Sequence, residues 1–566
     1  MRRKSARYFI KYAVRLLALA FILSGCSGQK SVDPEEFCKE TETSWKSWSG
    51  PKSSSGQENL QKDENGGRGG EEKEDQTESG RTEDGGEGQT EAEIERDSVQ
   101  NSRLHVVLKT NAVSDYGTDS SLMLWKGSSS MLSVRDSGFE ALNEALANYS
   151  NQRALDLERE RSRLKEAAQE HWNGDPHGFQ AYCTQFDTKI LRGDQRVLSF
   201  QEQVYSYTGG AHGNVAVSGY TYDSQSGKKL ELEDVVSSLD GLCSYLVQSL
   251  SSGEYREELF QGWEDVVRRE VFGESANGRV YELSWALGPD GMKVYFSPYE
   301  IGPWALGTVT VTVPYEEKTV GIGEQWTPAE EENVWQLFPY QERKLDVDGD
   351  KTEEIIRLEP GTVSKMEQMY VLWADGQSVE FNGTYGVASA WIMENSDGRK
   401  YFYGDCRTDN DYHYLNIVDL EELKERGADT KVSQFSYGMY GDIPMDAQSF
   451  WLSSRGGLFS TFPIRKLYSI GENGLPRTDD TEFTVDRWRV VAVQEISACE
   501  GSGFQKKTRI AAGTELFVTA TDEKSRVTAE TGDGIQYQFE IKGENWPHTI
   551  DGKNIEELFD GLIFAG

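Results

Sequence analysis

Residues 205–234 read YSYTGGAHGNVAVSGYTYDSQSGKKLELED, and this stretch decides the fold of the first part of the chain. Aromatic and polar residues alternate up to Gly209 and Gly210, which supply the backbone freedom that a tight turn requires. A β-rich run resumes at 215–222, and a second polar turn leads into a short alternating run. The pattern predicts strand, turn, strand, turn, strand and then a helix with Asp234 at its N-cap.

The surrounding sequence predicts an α+β domain over residues 101–318. Strand-like alternation at 103–113 and 121–134 is followed by helical spacing of apolar residues from 139 to 172. Further elements are predicted at 179–190 and 196–208 for strands, at 234–250 and 254–271 for helices, and at 280–287, 291–297 and 306–313 for strands. This order predicts a mostly antiparallel sheet with packed helices.

Two strings in this region carry a family resemblance. YTGGAH at 207–212 and WALGPDGMKVYFSPYEIGP at 285–303 resemble the extracytoplasmic module shared by lysozyme-sensing anti-sigma factors and certain peptidoglycan deacetylases. In the former the module recognises lysozyme, and in the latter it accompanies a separate catalytic domain. The resemblance spans about 101–318 and implies a recognition role, for which the candidate residues are Tyr207, Gly209, Gly210, His212 and Tyr299. Tyr205 and Trp304 are further aromatic positions of interest, although an aromatic stripe more often belongs to a core.

The chain departs from both families outside this module. The deacetylase domain is recognised by an Asp-Asp motif with paired histidines, whereas the six histidines here are scattered along the sequence. The anti-sigma proteins need a cytoplasmic segment, and only the few residues before the apolar run at 16–23 are candidates for one. We therefore expect binding without turnover and without direct control of a sigma factor.

His212 admits two interpretations. A histidine on a glycine-rich loop can act as a general base or a metal ligand, but no second histidine or cysteine stands at ligand spacing. The simpler interpretation is a hydrogen bond within the turn or a contact with a partner.

The N-terminus predicts a lipoprotein signal peptide at 1–26. A basic start precedes the short apolar run at 16–23, which ends in the lipobox Leu-Ser-Gly-Cys. Cys26 would become the lipidated first residue of the mature chain, with palmitate as an expected acyl group, and would fix the protein to the extracytoplasmic face of the cell membrane. The alternative is an uncleaved anchor helix with an incidental cysteine.

Residues 27–100 are predicted to form a disordered acidic tether. Residues 51–100 carry 15 acidic and 6 basic side chains and few large apolar ones, so this part cannot bury enough surface to offset its ordering entropy. The whole chain has a net charge of −36, which argues against nucleic acid and favours basic partners or cations. A lysozyme-like basic protein meets that description.

A second, mainly-β domain is predicted at 328–566. Its strand and turn units suit a sandwich, a barrel or a partial propeller. The segment LDVDGDKTEE at 345–354 resembles the calcium loops of extracellular β-repeat proteins. Its candidate ligands are Asp346, Asp348, Asp350, Thr352 through its carbonyl, and Glu354. Lys351 stands at the sixth position, where glycine is usual, and an Asx-rich turn without metal is the alternative.

The sequence does not decide whether four cysteines of the two regions are free or form disulfides. Cys183 with Cys243 and Cys406 with Cys499 allow one disulfide in each region of an oxidising compartment, and buried free thiols explain them equally well.

The sequence predicts a surface-anchored lipoprotein that is not an enzyme. Its module is expected to bind a cell-wall ligand, lysozyme or peptidoglycan, and its second domain to bind calcium. A hydrolase of envelope glycans that uses His212 or a carboxylate pair is the competing hypothesis, and a structural role in envelope assembly is a third.

Overall fold

The computed structural model describes residues 103–117, 122–276, 279–280, 282–329, 331–364, 367–408, 412–501, 506–543 and 546–564. The predicted signal peptide, Cys26 and the 27–100 tether lie outside these ranges. Within them, no helix combines the length and the apolarity that crossing a bilayer requires.

The first region is built on a twisted sheet crossed by one long helix. Its strands are β1 (Val106–Tyr116), β2 (Met123–Val134), β3 (Tyr182–Gly193), β4 (Val197–Tyr207) and β5 (Asn214–Asp223). Neighbouring strands are antiparallel except β2 and β3, which run parallel because helix α1 (Glu140–Gly174) connects them. The apolar stripe of α1 packs on this sheet, and Leu142 and Leu146 are fully buried there. Each such leucine contributes about 1.5–3 kcal/mol.

The hairpin at the centre of the sequence prediction is confirmed. Strands β4 and β5 pair in register from Val197 opposite Asp223 to Ser206 opposite Asn214. Gly209 and Gly210 have φ of 94° and 99°, which side chains with a Cβ rarely adopt.

The segment after this hairpin differs from the prediction. Instead of a third strand, a single bridge joins Tyr222 and Lys229. Helix α2 (Leu232–Val235) follows, and its N-cap is Glu231 rather than Asp234, whose carboxylate accepts from the Glu231 N–H at 2.9 Å. Asp234 therefore caps the N-terminus of α2 from the third helical position.

The two predicted helices after residue 234 are shorter than expected. The first is interrupted before α3 (Leu239–Ser252), because the Ser238 side chain caps a new helix by accepting from the N–H of Gly241. The second is confined to α4 (Trp263–Val271), since the residues before it form turns that end at Gly262, with φ of 86°.

A small sheet completes the first region. Its strands are β8 (Ser284–Leu287), β9 (Gly291–Phe296) and β10 (Val309–Pro314), all antiparallel, in the order β10-β9-β8. It shares a core with α3 and α4. Strands β6 (Ser275–Ala276) and β7 (Arg279–Val280) pair antiparallel within a separate unit.

The first half of the second region is a β-sandwich. One sheet holds β12 (Glu342–Leu345), β13 (Glu354–Ser364), β14 (Glu367–Ala374) and β15 (Gln377–Asn382). The other holds β11 (Val334–Gln336), β16 (Val387–Glu394), β17 (Lys400–Arg407), β18 (His413–Asp419) and β19 (Ser433–Phe435), with α5 (Leu420–Arg426) after β18. Leu358 and Leu372 of one sheet and Phe402 of the other share one apolar core.

The second half is a larger sheet that curves around its own core. It is formed by β21 (Phe450–Arg455), β22 (Pro463–Ile470), β24 (Phe483–Ala492), β25 (Ile496–Glu500), β26 (Lys506–Ile510), β27 (Glu515–Thr521), β28 (Arg526–Glu530) and β29 (Gln536–Glu540). Shorter elements are β23 (Pro476–Arg477), β30 (Thr549–Ile550), β31 (Lys553–Asn554), α6 (Ile555–Leu558) and β32 (Phe559–Asp560). An α+β region followed by a mainly-β region is thus confirmed as the fold class.

One short strand of the second region, β20 (Asp442–Ile443), joins the sheet of the first. It pairs antiparallel with Val106 and Val107 at the start of β1 and makes that sheet six-stranded. The Asp442 carboxylate accepts from Arg135 Nε at 2.6 Å. The two regions therefore share a sheet, which the sequence pattern did not predict.

Candidate functional site

The structure brings His212 together with Tyr299 and Trp304. The imidazole stacks on the Trp304 indole with ring centroids 4.5 Å apart and an interplanar angle of 26°. The Tyr299 ring centroid lies 6.5 Å from that of His212. Tyr299 and Trp304 keep 52% and 37% of their surface exposed, so the three rings form an accessible cluster, here called the aromatic surface.

Two turns from distant parts of the sequence hold the aromatic surface. His212 lies on the connection between β4 and β5, and Tyr299 and Trp304 follow β9. The Tyr299 N–H donates to the carbonyl of Gly302 at 3.0 Å, which closes the second turn. Tyr299 has φ of 73°, a left-handed conformation that costs a residue with a Cβ about 1–2 kcal/mol. Tyr299 is one of nine non-glycine residues with positive φ in the described part of the chain.

The hydrogen bonds of His212 fix its tautomer. Its Nδ1–H donates to the carbonyl of Gly213 at 2.9 Å, which leaves Nε2 to accept from the Tyr299 hydroxyl at 3.5 Å. Among the described residues, the side-chain contacts of His212 are with rings and backbone and include no carboxylate. This geometry suits stacking and hydrogen bonding to a ligand.

The other predicted recognition residues shape the hairpin end. The Tyr207 hydroxyl donates to the carbonyl of Gly210 at 3.2 Å. Gly209 packs against His171, where an added Cβ would lie 3.2 Å from the imidazole Cε1. These residues hold the turn, whereas His212 and Tyr299 present the exposed rings.

Phe260 extends the exposed apolar area next to this site, and sequence reasoning missed it. Its N–H donates to the carbonyl of Ile301 at 2.9 Å, and 42% of the residue is exposed. The predicted helix at 254–271 would have buried Phe260 along its apolar side. Because the chain forms turns there instead, this ring lies on the loop that borders the Tyr299 turn.

The predicted calcium loop has a partly formed carboxylate group. Oxygens of Asp346, Asp348 and Glu354 lie within 4.8 Å of one another. Asp350 is not part of this group, and its carboxylate accepts from the N–H of Thr352 at 2.7 Å. The donor set of three carboxylates suits calcium chemically.

The backbone of this loop turns without the glycine that is usual at its sixth position. Lys351 itself adopts φ of 70°, and its N–H donates to Asp346 Oδ2 at 2.8 Å. The N–H of Gly349 donates to the other oxygen of Asp346 at 2.7 Å. The sharp turn is therefore made, with Lys351 in the strained conformation.

A lysine that the sequence did not indicate lies among these carboxylates. Lys424 of α5 places Nζ 2.5 Å from Asp348 and 2.8 Å from Glu354, which is 3% exposed. The hydrogen bond from Lys424 lowers the pKa of Asp348. The ammonium group thus supplies a positive charge where a bound cation would lie, and no local pattern could have indicated it because 70 residues separate it from Glu354.

The four cysteines of the described regions are free. Cys183 and Cys406 are buried, and Cys243 and Cys499 are partly exposed. Burial raises the pKa of the Cys406 thiol to about 12, which makes it unreactive. The disulfide interpretation is therefore wrong in this structure, and the free-thiol interpretation holds.

Comparison with known families places two matches inside the first region. Residues 130–215 match the family described as deacetylase PdaC, and residues 239–316 match DUF3298, a family of proteins of unknown function. The chain contains PdaC-like and DUF3298-like segments. Together they enclose Tyr207, His212, Tyr299 and Trp304, and they confirm in part the resemblance to the module that accompanies peptidoglycan deacetylases.

Solved structures of the DUF3298 family are similar to this chain. A member from Bacteroides fragilis has 17% identity and a TM-score of 0.29, and the alignment covers 40% of this chain and 96% of that one. A member from Pseudomonas aeruginosa has 18% identity and a TM-score of 0.28, with 40% and 98% covered. A comparison with curated proteins finds no match.

Proposed function

We propose that this chain is a lipid-anchored protein of the extracytoplasmic membrane face whose first region binds a cell-wall-related ligand without turning it over. The observation that carries the proposal is the exposed stack of His212 on Trp304 beside Tyr299. The PdaC and DUF3298 matches support a cell-envelope context for the region that carries these rings.

The aromatic surface has the composition of a binding site. Aromatic side chains contribute large contact areas at low entropic cost, and tyrosine and tryptophan dominate binding hot spots. A flat pair of rings offers its faces to the apolar faces of sugar rings in a glycan strand. The left-handed φ of Tyr299 is a local cost that ligand binding would explain.

The net charge of the chain favours a basic protein as an alternative ligand. The net charge of −36 attracts cationic proteins and raises their association rate at low salt. Lysozyme, the ligand implied by the family resemblance, is such a protein. Peptidoglycan and lysozyme are therefore the two candidate ligands.

The membrane anchor is proposed from sequence only. A cysteine that ends a short apolar run is expected to receive acyl chains, palmitate among them, at Cys26. Metabolic labelling with a palmitate analogue tests this, since Cys26→Ala should abolish incorporation and Cys38→Ala should leave it unchanged.

Calcium binding by the second region is a further proposal. It rests on the three carboxylates of Asp346, Asp348 and Glu354. Lys424 already neutralises part of their charge, so a calcium ion would compete with the ammonium group.

Titration calorimetry tests the binding proposal. The chain from Ser27 onward is titrated separately with lysozyme and with soluble peptidoglycan fragments, at physiological salt so that unspecific charge attraction is screened. Stoichiometric binding that Trp304→Ala weakens supports the proposal. Release of fragments that depends on His212 would favour the glycan hydrolase instead.

A further inference from the structure

His105, Asp136 and Ser449 form a hydrogen-bonded series far from the aromatic surface in sequence. His105 Nδ1–H donates to Asp136 Oδ1 at 2.6 Å, and Ser449 Oγ lies 3.1 Å from His105 Nε2. The serine hydroxyl can therefore donate to Nε2 while the aspartate holds the other ring nitrogen. This is the order of groups that activates a serine nucleophile, and such arrangements are recognised by geometry and not by sequence position.

The sheet fixes the first two members. His105 directly precedes β1 and Asp136 follows β2, and these strands are antiparallel partners. Asp136 also accepts from the backbone N–H of His105 at 2.7 Å. Burial alone would raise the pKa of Asp136, but the hydrogen bonds from His105 outweigh it and lower that pKa. The carboxylate is charged and orients the imidazole.

The pairing of β20 with β1 brings Ser449 close to His105. After β20 the chain turns back toward His105, and Ser449 directly precedes β21. The Ser449 N–H donates to the carbonyl of Asp446 at 3.2 Å, and the Gln448 N–H donates to its carboxylate at 2.9 Å. The Ala447 N–H donates to Asn333 Oδ1 at 3.1 Å. Ser449 is thus held on a rigid turn.

The series reaches solvent and adjoins a cavity. The side chains of His105 and Asp136 are 13% and 24% exposed, and Ser449 is half-buried. Gln448, next to Ser449, lines a cavity of about 400 Å³ together with Asn333, Trp335 and four carboxylates. Trp451 packs edge-on against His105, with ring centroids 6.0 Å apart.

We propose that Ser449, His105 and Asp136 form a hydrolytic centre for carboxylic esters. This activity goes beyond ligand binding and uses none of the residues of the aromatic surface.

The reaction divides into two balanced halves. Ser449 Oγ bonds to the ester carbonyl carbon while its proton passes to His105 Nε2, and the carbonyl oxygen takes up the negative charge of the tetrahedral intermediate. Collapse breaks the bond to the alcohol oxygen, which takes the proton from Nε2. Water then gives a proton to Nε2 and adds to the acyl-serine, and the acid leaves as that proton returns to Ser449 Oγ. Asp136 is a positioning residue throughout.

A fluorophosphonate probe and 4-nitrophenyl acetate test this in the full chain. Mass spectrometry should locate one adduct on Ser449, at a rate that falls at least about 100-fold in His105→Ala. Ser454→Ala on β21, the strand that follows Ser449, and His177→Ala on an exposed loop are matched controls that should label normally. Asp136→Asn should lower kcat for the acetate ester strongly and change KM little, which a merely structural role would not produce.

The proposal is overturned if Ser449 labels no faster in the parent chain than in His105→Ala. It is equally overturned if Ser449→Ala hydrolyses 4-nitrophenyl acetate at the parent rate. Both variants are first compared with the parent by circular dichroism and thermal melting. If Ser449→Ala does not fold, labelling of the parent at Ser449 alone decides the question. Loss of ligand binding by Trp304→Ala is independent of either outcome.

Discussion

Replacing Tyr299 with glycine is expected to stabilise the fold while weakening ligand binding. Tyr299 has φ of 73°, and this conformation costs a residue with a Cβ about 1–2 kcal/mol. Glycine removes that cost, and it gains freedom in the unfolded chain worth about 0.5–1 kcal/mol. The lost ring is 52% exposed and contributes little to stability. The free energy of unfolding should rise by up to about 1 kcal/mol.

Tyr299→Ala is the matched control for the backbone contribution. Alanine removes the same ring but keeps the Cβ, so the strain remains. The glycine variant should therefore be about 1 kcal/mol more stable than the alanine variant. Both variants should bind the ligand equally poorly because both lack the ring.

Urea unfolding followed by tryptophan fluorescence measures the comparison. The midpoint should move to higher urea for Tyr299→Gly at an unchanged slope. Equal midpoints for the two variants, or a lower midpoint for glycine, would contradict the strained turn. Parent-like binding by both variants would remove Tyr299 from the recognition surface.

Three further outcomes are expected. Trp304→Ala should weaken ligand binding, measured by calorimetry, roughly 30-fold, as expected for an aromatic hot-spot residue. Trp546→Ala removes an exposed tryptophan elsewhere and should leave the binding unchanged. Lys424→Met should make the thermal midpoint depend on calcium, because removal of the ammonium group leaves the carboxylates of Asp348 and Glu354 without their cation. The same calcium response in a Lys424→Met, Asp348→Asn double variant would exclude the loop as the binding site. Burial raises the pKa of Glu332 to about 7, above its unfolded value near 4.5. The folded state therefore binds this proton more tightly, so the contribution of Glu332 to stability is largest below pH 4.5 and falls by about 1–3 kcal/mol between pH 4.5 and pH 7. Glu332→Gln should flatten that decline in urea titrations at several pH values, and an unchanged decline would assign it to other groups.

Local patterns in the sequence were sufficient for most strands and for the long helix. Alternation and turn glycines locate β4, β5 and the turn at Gly209, and periodicity locates α1. The start of the helix predicted at 254–271 was misjudged because apolar spacing extends through residues that form turns up to Gly262. Tertiary packing of Trp263 and Val267 decides where that helix begins.

The composition of the two sites could be predicted only where their members are near in sequence. Asp346, Asp348 and Glu354 share one loop, so their spacing indicates a group of carboxylates. His212 and Tyr299 were predicted as site residues from the family resemblance. Their contact arises because two turns that are 87 residues apart in sequence pack together. Lys424 contacts Glu354, and Ser449 contacts His105. Neither helical nor strand periodicity reaches across such sequence separations.

The shared six-stranded sheet was beyond sequence reasoning for the same reason. A two-residue strand such as Asp442–Ile443 has no detectable alternation, and its partner lies more than 300 residues earlier. Its position is fixed by backbone pairing with β1 and by the ion pair of Asp442 with Arg135. The two regions predicted at 101–318 and 328–566 are therefore joined through this shared sheet.

Recognition by the aromatic surface is tested by calorimetric titration of the chain from Ser27 onward with lysozyme and with peptidoglycan fragments at physiological salt, in parallel for the parent, Trp304→Ala and Trp546→Ala. We expect saturable binding of one of these ligands that persists in salt, is weakened about 30-fold in Trp304→Ala and is retained in Trp546→Ala. Absence of binding, or binding that disappears with salt and is equal in all three proteins, would contradict a recognition role for the aromatic surface.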